Sequence, residues 1–213
     1  MRRIALIAAA SILFISAPVF AQEWIEFASQ QDFFTVNFPS QPKVQEISYK
    51  TEYGISIPAR VYSAVDGQNR YSMTAVDFTQ ARKIHEERNK KCVATEAYPD
   101  VCGDRANGDL RGAIDHAVWG FMQRDAKITF YAYTNVDLVE GRQIQLTNAD
   151  GSRTFVAIHM HADHLYILEG TVPKGAPQPA LFQQSLGFID KEGKRIRYAT
   201  TYSNAYPPPP RSR

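Results

Sequence analysis

The sequence predicts an α+β fold: one domain with an antiparallel β-sheet and a clustered helical block that covers a face of it. Three observations lead there. Short stretches of alternating apolar and polar residues recur on both sides of a central, helix-periodic region. Consecutive stretches are joined by tight-turn dipeptides such as Asp66-Gly67 and Asp150-Gly151, which makes them antiparallel neighbours. Eleven Tyr and twelve Phe suit a sheet-rich chain.

Taken in order, "EWIEF" (23–27) and "FFTVNF" (33–38) read as short strands, and Pro39 and Pro42 then break the chain. Residues 43–67 form two strands around a bend at Gly54. In "RYSMTAVDF" (70–78), Tyr71, Met73 and Ala75 alternate against Ser72, Thr74 and Val76. "TQARKIHEERNKK" (79–91) is a charged helical segment with Thr79 placed to cap it. The clearest helix runs from Asp109, its cap, to Arg124, because Ile114, Ala117, Val118, Phe121 and Met122 recur on one face. Four strands follow, in "KITFYAYTNVDL" (127–138), "RQIQLTN" (142–148), "RTFVAIHM" (153–160) and "LYILEGTV" (165–172). Pro173, Pro177 and Pro179 end the sheet and start a short helix, "QPALFQQSLGF" (178–188); "RIRYATTY" (195–202) is a last strand or an extended tail.

The two ends read differently. Residues 1–21 have the form of a signal peptide: "MRR", then an apolar run, then Val19-Phe20-Ala21 before the expected mature start at Gln22. Residues 22–199 make the domain, and 200–213, ending in "YPPPPRSR", are read as a disordered Pro-rich tail. Without a stable membrane span after cleavage, the expected location is periplasmic or secreted. Arg2 and Arg3 are the signal's charges, so its removal takes Lys+Arg from 24 to 22 against 22 Asp+Glu. A neutral mature chain has no general electrostatic claim on nucleic acid. In an oxidising compartment Cys92 and Cys102 are expected to pair as a disulfide on a loop, worth about 2.7 kcal/mol by loop closure.

Several short apolar motifs are similar to the PsbP/Mog-like superfamily, over most of residues 24–190. They are Phe34, Val36, Phe38, Pro39 and Pro42 in the first part, then Tyr71, Val76 and Phe78, and later Leu165, Tyr166, Phe182, Ser185 and Phe188. The resemblance implies an α/β/α sandwich with an antiparallel sheet between helical layers. It also implies a non-catalytic binding or assembly factor with no shared active site. The cysteine loop and the Pro-rich tail depart from that pattern.

The chemistry-bearing stretch is "HMHADH" (159–164). With Ala162-Asp163 as a two-residue turn, Val156, Ile158, Met160, Leu165 and Ile167 fall on one face. Phe155, His159, His161, His164, Tyr166 and Leu168 fall on the other. Histidines two residues apart on a strand project in parallel about 6–7 Å apart, a usable ligand spacing. His159, His161 and His164, with Asp163 as a fourth ligand or an orienting group, could therefore hold zinc, copper or nickel. An exposed hairpin end carrying imidazoles is the plainer reading. "HEERN" (85–89) opens like a zinc-protease helix, but Asn89 stands where the second histidine must be. No nucleophile elbow, phosphate loop or dinucleotide fingerprint is present. The expectation is an exported, non-catalytic module that binds a protein or envelope component without a cofactor; the alternative is a metal-binding or metal-dependent protein built on the His cluster.

Overall fold

The computed structural model describes residues 23–204 and 209–211, so the signal-like segment and most of "YPPPPRSR" lie outside the described residues. The strands are β1 (Ile25–Ser29), β2 (Phe34–Phe38), β3 (Lys43–Lys50), β4 (Ser56–Asp66), β5 (Asn69–Asp77), β6 (Ala126–Val136), β7 (Val139–Asn148), β8 (Arg153–His161), β9 (His164–Val172), β10 (Gly187–Ile189) and β11 (Arg195–Ile196). The helices are α1 (Ala81–Thr95), α2 (Ala106–Met122) and the single turn α3 (Ala180–Gln183). Seven strands form one antiparallel sheet in the order β3-β4-β5-β9-β8-β7-β6. It consists of two meanders, β3–β5 and β6–β9, whose inner strands β5 and β9 pair. Helices α1 and α2 are the connection between the two meanders, which places them together over one face.

That face is the one the hairpin pattern selects. Val156, Ile158, Met160, Leu165 and Ile167 pack with Ile57, Ala59 and Val76 against Leu110, Ala113, Ile114, Ala117, Val118 and Phe121 of α2. Burying a Leu, Ile or Phe side chain contributes roughly 1.5–3 kcal/mol, so this stripe alone commits α2 to the sheet. The helix begins at Ala106 rather than Asp109, and α1 is uncapped by Thr79, whose N–H instead bonds to Asp77 Oδ1.

The opposite face corrects the expected α/β/α sandwich. The chain is β-rich, with eleven strands in two sheets among the described residues and few helices. A second sheet, in the order β1-β2-β10-β11, covers the large one from this side, with only the four-residue α3 beside it. Phe34, Val36 and Phe38 of β2 and Phe188 of β10 pack onto Tyr62, Tyr71, Met73, Ala157, Tyr166 and Leu168. The helix expected over 178–188 stops after one turn because Gly187-Phe188-Ile189 pair into this sheet, Phe188 opposite Phe34. A Cβ on Gly187 would lie 2.7 Å from the Arg195 guanidinium carbon and 2.8 Å from Thr35 Oγ1, so a side chain here would have to displace both groups.

The two sheets are tied by a buried ion pair at the β1–β2 turn. Asp32, fully buried, accepts two bonds from the Arg60 guanidinium and one from the Tyr62 hydroxyl. Tyr166 donates its hydroxyl to Asp32 O at 2.8 Å. The neighbouring Phe33 takes φ +56°, a left-handed turn position that strains a bulky residue and that these contacts stabilise. The packed chain also runs past residue 199. Tyr202 bridges β7 beside Val139 and is buried, and Asn204 Nδ2 donates to Leu110 O at 2.6 Å.

Candidate functional site

The β8–β9 hairpin has the two-residue turn that the sequence reading gives it. Ala162 and Asp163 adopt φ +47° and +60°, and His161 pairs with His164 and His159 with Tyr166. All three imidazoles share one face, yet that face is not open. His159, His161 and His164 are 3%, 2% and 4% exposed: Phe188 of β10, Tyr198 and Tyr202 lie against His161, Phe33 lies against His164, and His159 is held against β7. The plainer reading of an exposed hairpin end therefore fails.

The metal reading fits no better, since each imidazole is engaged separately. His159 donates Nδ1–H to Val139 O at 3.2 Å. His164 donates Nδ1–H to Ala162 O at 2.9 Å. His161 bonds through Nε2 to the Tyr198 hydroxyl at 2.8 Å and packs on Phe188 with ring centroids 4.4 Å apart and planes tilted by 31°. Asp163 serves the turn through its backbone, its carbonyl accepting from Phe78 N–H. Among the described residues no three His, Cys, Asp or Glu side chains are grouped to hold a metal ion. Burial pushes the His159 and His161 imidazoles down to about 4, with Arg211 and His164 adding to the effect at His161. They are neutral, packed rings that join the two sheets. His161 Nδ1 is buried without a partner among the described residues.

The residues brought together elsewhere were mostly invisible in the sequence. His85 Nε2–H donates to Asp109 Oδ2 at 2.7 Å, and the Thr51 hydroxyl donates to the same oxygen at 2.6 Å. All three side chains are buried, so Asp109 is an interior hydrogen-bond centre rather than a helix cap. The one available signal was position: His85 lies four residues after the buried Ala81, on the inward stripe of α1. Cys92 and Cys102 are joined, linking the last turns of α1 to the loop before α2 across a Cα–Cα distance of 5.9 Å.

β6 is one of the two outer strands of the large sheet, and like β3 at the other end it is largely exposed. Ile128, Phe130, Tyr131 and Tyr133 are 40%, 42%, 47% and 55% exposed, since α2 covers the inner strands and stops short of this edge. Its register slips once, between Ile128 and Phe130; from Phe130 to Val136 it pairs regularly with β7, and its outer backbone edge is unpaired among the described residues. Lys127 and the register slip protect its first part, but from Phe130 to Val136 it carries no charged residue and no proline.

No protein-family model matches the chain, and no curated protein matches it at a significant level. Among the described residues no helix is long and apolar enough to cross a membrane.

Proposed function

We propose that the chain is an exported binding module of the cell envelope that takes an extended segment of a partner protein along β6. The observation that carries this reading is the edge itself. Ile128 precedes, and Phe130, Tyr131 and Tyr133 lie within, a seven-residue run of regular strand whose outer backbone side is unpaired among the described residues. An added strand would satisfy those backbone groups, while Tyr131 and Tyr133 on one face and Phe130 on the other would select apolar side chains at alternate positions. Aromatic residues suit such a contact because they bury much area at small cost in side-chain entropy. Export is supported by the disulfide and by the signal-like first residues. A binding role also agrees with what the PsbP/Mog-like resemblance implies, although the chain does not adopt the α/β/α sandwich of that resemblance.

A photo-crosslinking residue at position 131 or 133, introduced in the native host, tests the reading. The expected result is one reproducible adduct that disappears in a Tyr131→Lys/Tyr133→Lys variant of unchanged melting temperature. An adduct that survives the double substitution, or the absence of a reproducible adduct, overturns it.

A further inference from the structure

Away from β6, α1, the start of α2 and the disulfide loop enclose a cleft of about 410 Å3. We propose that this cleft binds a small organic oxyanion, a carboxylate or phosphate group carried on a short apolar body. Two guanidinium groups, of Arg88 and Arg105, line it together with His85, and among the described residues no carboxylate does. Tyr53 organises both arginines. Its carbonyl accepts a 2.9 Å bond from Arg88 Nη1, and its ring lies 5.8 Å from the Arg105 guanidinium carbon. A guanidinium carries five donors, so Arg88 retains most of its own after that bond, and Arg105 is held over the ring by a cation–π contact.

His85 supplies the third polar group. Asp109 takes its Nε2–H, and Asp109 is itself fixed by the Thr51 hydroxyl and, at 3.3 Å, by Tyr53 N–H. A carboxylate held by two other donors orients the ring, as it does for histidines that work at metal and catalytic sites. The remaining nitrogen, Nδ1, has no hydrogen-bond partner among the described residues, and the ring is part of the cleft lining. The acidic partner thus stands behind the imidazole, and the groups presented to a ligand are cationic or neutral.

The apolar half of the cleft is the Tyr53 ring, Val101 and the Cys92–Cys102 bridge. Such a wall favours an anion with a body over a bare ion, and a volume of this size accommodates a small organic acid. The disulfide holds that wall against α1, so the site is formed only in the oxidised chain. This inference is independent of the β6 reading and survives its failure.

Calorimetry on the oxidised mature protein with benzoate, phenyl phosphate, inorganic phosphate and neutral benzamide tests it. Benzoate or phenyl phosphate is expected to bind with Kd below ~10 mM, and the stronger of the two assigns the head group. Arg88→Gln/Arg105→Gln should weaken that binding at least ~tenfold, because charge-assisted bonds to the oxyanion are lost. Both arginines are exposed, so a melting temperature close to the parent's is expected. Reduction of the disulfide should weaken binding as well, and the Tyr131→Lys/Tyr133→Lys variant should bind normally. Failure of both organic anions to bind, benzamide binding as well as benzoate, inorganic phosphate binding as well as phenyl phosphate, or affinity unchanged in the arginine double variant would each overturn the proposal.

Discussion

His159 and His161 make the stability of this protein acid-sensitive in a defined window. Each imidazole falls from 6.5 in the open chain to about 4 when folded, so the folded state resists protonation that the unfolded chain accepts. Above about pH 6.5 both rings are neutral in either state and their full contribution is present. As pH falls from 6.5 towards 4, the unfolded chain gains protons that the folded chain cannot, and stability declines by about 1.4 kcal/mol per pH unit for each ring. Carried across the whole window, the loss is about 3 kcal/mol per ring, a large share of an ordinary domain's 5–15 kcal/mol. The informative variant is His161→Phe. A phenyl ring keeps the packing on Phe188, removes the unpartnered Nδ1 and gives up one bond to the Tyr198 hydroxyl. Urea unfolding at pH 7.0, 6.0 and 5.0 measures the effect, the last value chosen to stay above the carboxylate range. The stability difference between parent and variant should move in favour of the variant by about 2 kcal/mol from pH 7 to 5. A pH-independent difference, or an NMR titration of His161 centred near 6.5 in the folded protein, would refute the argument.

Three further outcomes follow from the packing. Asp32→Ala leaves Arg60 without its close acceptor and Tyr62 with only the Ser29 hydroxyl, and should cost about 3–5 kcal/mol in urea unfolding, whereas Arg60→Lys should cost less. Gly141→Ala drives a methyl group into Ile158 O and to 2.5 Å from His159 Nδ1, so a loss of at least about 2 kcal/mol and a displaced His159 resonance are expected. Replacing Cys92 and Cys102 by Ser should lower stability by about 2–3 kcal/mol, seen as a lower melting temperature that a reductant no longer changes.

Much of the large sheet could be read from residue order. Turn dipeptides and period-two alternation located β4, β5, β8 and β9 nearly to the residue, because local steric preference and one-sided burial act within a few residues. The α2 stripe and the cysteine pair were legible for the same reason. By itself, then, the chain determined its strand-rich character, its hairpin turns, the helix-facing side of β8 and β9, and the grouping of three histidines on the other side. Tertiary structure alone decided what those histidines do. Their face is buried by Phe34, Phe188, Tyr198 and Tyr202, contributed by segments far away in the chain, and no local pattern in "HMHADH" encodes that cover. The same holds for Asp109, which looks like a cap in sequence and becomes the partner of His85 and Thr51 only once α1, α2 and the β3–β4 bend are packed together. Alternation along a strand specifies that a side chain points to one face; whether that face meets water, a helix or a second sheet depends on long-range burial, which the whole chain settles at once.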